Sequence, residues 1–149
     1  LLGFKPQQLG ELAPGYAGRG GPGVALHSLL AGITLDQLER AFGAAAGHVR
    51  VMPNLASRIN KSPVILAQTG LDTAACEAVS DLYDPLGTAI WLDREDHYDL
   101  ATALAGSGPG FVYRFIDSLS AAAKGLGLEP AQADALPRSW PIRSPVRVG

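Results

Sequence analysis

The stretch PVILAQTGLDTAACEAVSDLYDPLGTAIWL, residues 63–92, decides the fold class. Pro63 to Ala67 is an apolar run of strand length, and Asp72 then stands where a carboxylate accepts from first-turn amides. Ala75, Val79 and Leu82 fall on one helical face, and Pro85 with Gly87 stops the helix before a second strand, Thr88 to Leu92. The same alternation runs upstream. Val24 to Leu30 is a strand broken at Gly32. Thr34-Leu35-Asp36-Gln37 is a capping box, and Leu35, Leu38 and Phe42 recur at helical spacing up to a stop at Gly43. Val49 to Met52 is another strand, stopped by Pro53. Leu1 to Pro6 reads as the end of a buried strand entering a turn, and residues 14 to 23, with five glycines and two prolines, as a flexible connection. Strands alternating with capped helices predict an α/β layer with a partly parallel sheet over residues 1–92.

Beyond Leu92, where we place a domain boundary, the character changes. Asp93, Glu95, Asp96 and Asp99 crowd the start of a helix, where a solvated first turn favours carboxylates. Leu100, Ala101 and Leu104 give that helix an apolar face. Gly106-Ser107-Gly108-Pro109-Gly110 then reads as a break before a second helix of about four turns. Phe111, Phe115, Leu119 and Ala122 form its stripe, widened by Val112, Ile116 and Ala123, so broad a face that it calls for a large partner surface. From Leu136 the period is lost, and residues 137–149 are expected to be an irregular, non-native or disordered tail; a reading-frame change near Leu136 would produce such an end.

Composition narrows the function. The 149 residues are 47% hydrophobic but only 17% charged, with a formal net charge of -2. That balance gives no electrostatic case for nucleic acid or an anionic membrane, and no apolar run is long enough to span one. A soluble cytoplasmic protein is expected. The single cysteine, Cys76, excludes an internal disulfide framework and reads as a small buried apolar residue. His27, His48 and His97 are scattered without metal-ligand spacing. Trp91 and Tyr98 read as packing residues.

Ala105-Gly106-Ser107-Gly108-Pro109-Gly110, followed by Phe111-Val112 and Phe115-Ile116-Asp117, resembles the Ser-Gly-Ser-Gly-Pro-Ala-Tyr/Phe signature of pyrroline-5-carboxylate reductases. Four further segments resemble the family in the same order: Phe4-Lys5-Pro6-Gln7, Ala31-Gly32-Ile33 ahead of the Thr34 cap, Val49-Arg50-Val51-Met52-Pro53-Asn54, and Gly125-Leu126-Gly127-Leu128 with Ala131 to Ala133. Together they cover roughly residues 1–136. Ala105, Gly110 and Leu55-Ala56 depart from the family's Ser, Ala and Thr-Pro.

The resemblance implies a fold class of α/β, a partial Rossmann-like dinucleotide-binding domain followed by the start of an all-helical dimerisation domain over residues 93–136. It implies an enzyme that moves hydride from NADPH or NADH to the C=N carbon of 1-pyrroline-5-carboxylate, a cyclic imino acid, giving L-proline in proline biosynthesis. By the same resemblance Ser107, Gly108, Pro109 and Gly110 hold the substrate, while Phe4, Lys5, Pro6, Ala31, Gly32, Met52, Pro53 and Asn54 border the coenzyme. Positioning would dominate the mechanism; no catalytic acid or base is assignable. A homodimer or higher homo-oligomer is implied for the complete protein, with no nucleic-acid or membrane partner. The strand, Gly-x-Gly-x-x-Gly turn and helix that together hold a dinucleotide pyrophosphate do not occur: the nearest glycine cluster, Gly18 to Gly23, has that spacing but follows no apolar strand and includes Pro22. A catalytically inactive remnant, able only to self-associate, is the alternative expectation, with turnover by these residues alone not measurable.

Overall fold

A computed structural model describes residues 1–140. They fall into two compact units, Leu1–Gly106 and the residues from Ser107 on.

In the first unit, four strands form one sheet in the order β1-β2-β3-β4: β1 is Ala25–Ser28, β2 Gly47–Met52, β3 Ser62–Thr69 and β4 Gly87–Trp91. β1 and β2 are parallel, β2 and β3 antiparallel, and β3 and β4 parallel. Leu2 adds a parallel bridge to Ser28 outside β1: its N–H donates to the His27 carbonyl at 2.7 Å and its own carbonyl accepts from Leu29 at 3.0 Å. The expected strand end at Leu1-Leu2 is therefore present as one bridge.

Strand alternation sorts the core into two layers. Val49, Val51, Val64 and Leu66 face Val79 and Tyr83 of α3 (Thr73–Tyr83). On the other face Ile65 and Ala67 pack with Leu35 and Tyr98. Leu38, inside α2 (Leu35–Ala41), and Phe42, just past its end, close a third cluster with Ala13 of α1 (Leu9–Tyr16). Complete burial of each such side chain contributes about 1.5–3 kcal/mol. Both expected caps form. Thr34 Oγ1 accepts from the Gln37 amide at 3.3 Å while Gln37 Oε1 accepts from Thr34 N–H at 2.9 Å, and Asp72 Oδ1 accepts from the Ala75 amide at 2.8 Å.

Four details differ from the sequence reading. The glycine-rich stretch begins inside α1, which carries Pro14; its apolar residues Leu9 and Ala13 find a partner in the Leu38–Phe42 cluster, and packing overrides local propensity. Leu82 is exposed and Tyr83 takes its place in the core, because Val79 and Tyr83, four residues apart on one helix face, are the pair that packs against Val49 and Leu66. Cys76 is partly exposed, and burial, then the Asp72 carboxylate, push its thiol above the ordinary range. Glu95 and Asp99 are not simply solvated carboxylates, since both reach the buried Arg50.

The largest difference is α4. Tyr98–Gly125 is one helix of 28 residues with Pro109 inside it, where two helices and a break were expected. Proline forbids only its own N–H bond and crowds the carbonyl four residues back, so a helix can continue through it.

In the second unit α4 ends in a Schellman turn: Gly127 (φ 95°) donates to the Lys124 carbonyl at 3.0 Å and Leu128 to that of Ala123 at 3.0 Å. α5, Pro130–Arg138, comes next. Ala133 and Pro137 are buried, and Lys124 Nζ meets Asp134 Oδ1 at 2.8 Å, holding that carboxyl below its usual range. Helix thus continues past Leu136, where the sequence pattern ends, through Arg138. Residues 141–149, which include most of the expected irregular tail, lie outside the described residues.

Candidate functional site

The bridge at Leu2, β1 and β2 run parallel and side by side. The segments that leave their carboxyl ends therefore emerge at one end of the sheet. These are Phe4-Lys5-Pro6 after Leu2, Ala31-Gly32 after β1, and Met52-Pro53-Asn54 at and beyond the end of β2. In open α/β sheets, ligands bind in the crevice outside the carboxyl ends of parallel strands. The three segments expected to border the coenzyme thus share one location, although they are 20 or more residues apart in the chain. Lys5, Ala31 and Gly32 are exposed there, and Phe4, Met52, Pro53 and Asn54 half-buried. Gly32 has φ 74° with nothing within 4 Å of where a Cβ would stand, so the backbone itself forms the surface.

Asn54 is fixed from three sides. Its N–H donates to Ser62 Oγ at 2.8 Å, its Oδ1 accepts from the Ala56 amide at 2.9 Å, and its Nδ2 donates to the Ala105 carbonyl at 2.9 Å. Ser62 Oγ donates its own proton to the Pro63 carbonyl at 2.9 Å. Next to this, Gly87 has φ 144°, and a Cβ on it would run into the Ser62 backbone. The strand end is thereby held by side chain–backbone bonds where no further ladder continues.

Arg50 is the buried charge behind the platform, 3% exposed. One guanidinium nitrogen donates to Glu95 Oε1 at 2.9 Å, another to Asp99 Oδ1 at 3.4 Å, and the group lies 3.8 Å from the centre of the Tyr98 ring. Glu95 Oε1 also accepts from the Leu35 amide at 2.7 Å, at the positive end of α2. One carboxylate thus joins β2, α2 and the turn before α4. Burial, more than the nearby charges, pushes the Tyr98 phenol far above its ordinary range, so it stays protonated. Sequence reasoning does not pair Arg50 with Glu95: an arginine inside an apolar strand is the available signal, and its partner lies 45 residues away.

His27 Nδ1 lies 2.8 Å from the Tyr83 hydroxyl. Burial, and secondarily the amino-terminal charge, lower its pKa, so the neutral ring accepts from the phenol. His48 Nε2 is 3.2 Å from the Phe42 carbonyl. Among the described residues no group of three or more His, Cys, Asp or Glu side chains is placed to hold a metal ion, and no helix is long and apolar enough to cross a membrane.

Ser107, Gly108, Pro109 and Gly110 lie within α4, in the second unit. The expected cradle of free first-turn amides is absent, because interior helical amides are bonded to carbonyls one turn back. What the segment offers is an exposed Ser107 and an open backbone. A Cβ on Gly106, Gly108 or Gly110 would meet nothing within 4 Å. Each interior glycine costs about 1 kcal/mol relative to alanine, and no contact among the described residues requires the three.

Comparison with known proteins gives a consistent result. Residues 95–139 match the family described as "Pyrroline-5-carboxylate reductase dimerisation". The chain is 37% identical over 110 residues to pyrroline-5-carboxylate reductase 2 of Bacillus subtilis, covering 73% of this chain and 39% of that protein. It is 31% identical over 137 residues to the pyrroline-5-carboxylate reductase of Pseudomonas aeruginosa, covering 91% and 50%. The structure resembles that of a pyrroline-5-carboxylate reductase from Coxiella burnetii with a TM-score of 0.83 at 27% identity, covering 92% of this chain and 52% of that one. It also resembles the Plasmodium falciparum pyrroline carboxylate reductase with NADP bound, TM-score 0.70 at 26% identity, covering 91% and 54%. The chain thus spans about half the length of these relatives or less.

Proposed function

We propose, from the premise that the chain belongs to the pyrroline-5-carboxylate reductase family, that it supplies the nicotinamide and substrate contacts of an NADPH- or NADH-dependent reduction of 1-pyrroline-5-carboxylate to L-proline. The observation that carries this reading is the meeting of Phe4-Lys5-Pro6, Ala31-Gly32 and Met52-Pro53-Asn54 at the carboxyl ends of the Leu2 bridge and the neighbouring parallel strands β1 and β2. Those segments hold the nicotinamide end of the coenzyme, and the open Gly32 turn leaves room for close approach. Pyrophosphate is not assigned to residues of this chain, since its one Gly-x-Gly-x-x-Gly spacing, Gly18 to Gly23, follows α1 and precedes β1 rather than joining a strand to a helix. The residues present fit one end of the group.

Reduced nicotinamide, when bound, supplies hydride to the C=N carbon. The chain's own residues bind and orient. Ser107 donates its hydroxyl to the substrate carboxylate, and Gly108 and Gly110 let the helix backbone come within contact of a small ring. No titratable side chain lies within Ser107–Gly110, so the imine enters already protonated and rate derives from alignment.

A domain boundary near Leu92 is supported by a dimerisation match that opens at residue 95, whereas the compact units divide later, after Gly106. Phe111, Tyr113 and Phe115 stand exposed on α4, a face suited to a second copy in a homodimer or larger homo-oligomer. The same reading puts the protein in the cytoplasm. The test of the substrate assignment is an amide-resolved NMR titration with L-proline. Ser107, Gly108 and Gly110 should shift in a saturable way, and Gly108→Val should weaken the response at least tenfold. Equal titration of wild type and variant would remove the substrate role from this segment.

A further inference from the structure

Pro109 lies in the interior of α4 and has no N–H to give to the carbonyl of Ala105, four residues earlier. That carbonyl is met instead by Asn54 Nδ2, at 2.9 Å, from the end of β2. The other end of the same amide is committed: Oδ1 accepts from the Ala56 N–H at 2.9 Å. Only Nδ2 remains to donate, which fixes the orientation of the group. The Asn54 backbone is itself held by Ser62 Oγ at 2.8 Å, and Ser62 is 1% exposed, so the donor stands on an anchored strand end.

We infer that Asn54 is a positioning residue: its side-chain amide replaces the helical hydrogen bond that Pro109 removes, and so pins α4 at the Ala105 turn to the carboxyl end of β2. The function of the pin rests on the proposed reductase reading, in which that strand end borders the nicotinamide. The pin itself does not, and its test is independent of turnover. A helix interrupted by proline bends or shifts readily at the unpaired carbonyl. An external donor at that carbonyl fixes it in one arrangement. In the pin Asn54 serves through Ala105, a role that does not depend on its expected place beside the coenzyme.

A double-mutant cycle decides the matter. Asn54→Asp keeps an oxygen for the Ala56 amide and removes the donor to Ala105, and Pro109→Ala restores the helical donor to the same carbonyl. Loss of the last partner of a half-buried acceptor costs about 1.4 kcal/mol or more, so Asn54→Asp should lower the folding equilibrium constant of the wild-type chain by roughly tenfold. In the Pro109→Ala background the same change should cost no more than about threefold, because the carbonyl is already satisfied. Where Asn54→Asp alone does not fold, recovery of a cooperative unfolding transition in the double variant supports the pin, and failure to recover it counts against it. Equal losses in both backgrounds, or no loss from Asn54→Asp, would overturn the inference. The L-proline titration is run on the wild-type chain, without these substitutions, so failure of the pin and failure of the reductase reading are separable.

Discussion

Removing Glu95 should destabilise the first unit more than removing Arg50, although the two are one ion pair. Arg50 has 4% of its side chain exposed and Glu95 28%. Its second partner, Asp99, is 84% exposed and 3.4 Å away, and so contributes little in high dielectric. Glu95→Gln therefore strands a buried guanidinium that water cannot reach. Breaking a buried pair in this way costs about 3–5 kcal/mol, and the partial exposure of Glu95 puts the figure near 3 kcal/mol. Arg50→Met removes the charge itself, fills similar volume against Tyr98, and leaves a carboxylate that still accepts from Leu35 and is open to water. Its cost is the lost pair and cation–π contact, about 1–2 kcal/mol. At roughly 2–4 °C per kcal/mol for a chain of this size, the melting temperature should fall by about 6–12 °C for Glu95→Gln and about 2–8 °C for Arg50→Met. Urea unfolding read by the half-buried Trp91, in a Trp140→Phe background, measures both. A larger loss from Arg50→Met, or equal losses, would show that the pair is not governed by burial of the cation.

Two further outcomes rest on particular contacts. Gly87→Ala places a Cβ at φ 144° and drives it into the Ser62 carbonyl; it should cost about 3 kcal/mol or more, seen as a lowered urea midpoint, whereas a change within about 0.5 kcal/mol would mean that β4 is not held this way. His27 has a folded pKa below its ordinary value of 6.5, so the unfolded chain binds more protons near and below that pH. Stability should be full above 6.5 and decline as pH falls through it toward the folded pKa. His27→Gln should flatten this acid limb, and an unchanged pH slope in the variant would assign the limb to other groups.

Elements with local chemistry are legible in the amino-acid sequence alone. Thr34 with Gln37, and Asp72 with Ala75, declare helix starts through bonds made within three residues, and the four strands lie where short apolar runs are bounded by Pro and Gly. What escapes such reading depends on distant partners. Tyr83 rather than Leu82 enters the core because the α3 face is chosen by Val49 and Leu66 across the sheet. Arg50 reads as an ordinary strand residue until Glu95 is brought beside it by the fold. At Pro109 the sequence reads as a stop, yet one missing hydrogen bond does not end a helix whose lost partner is supplied from Asn54. Of the candidate site, the three strand-end segments become one place through sheet order, which spacing alone does not reveal.

That this sheet end receives a nicotinamide is tested most directly with reduced nicotinamide mononucleotide, a probe that lacks the adenosine half and so does not depend on a dinucleotide pyrophosphate motif. In an amide-resolved NMR titration, saturable shifts are expected at Phe4, Lys5, Ala31, Gly32, Met52 and Asn54. None is expected at the opposite end of the sheet, where Thr69 and Gly70 lie beside Ala46 and Gly47. Shifts centred on that opposite end, or no shifts at low-millimolar probe, would contradict the assignment.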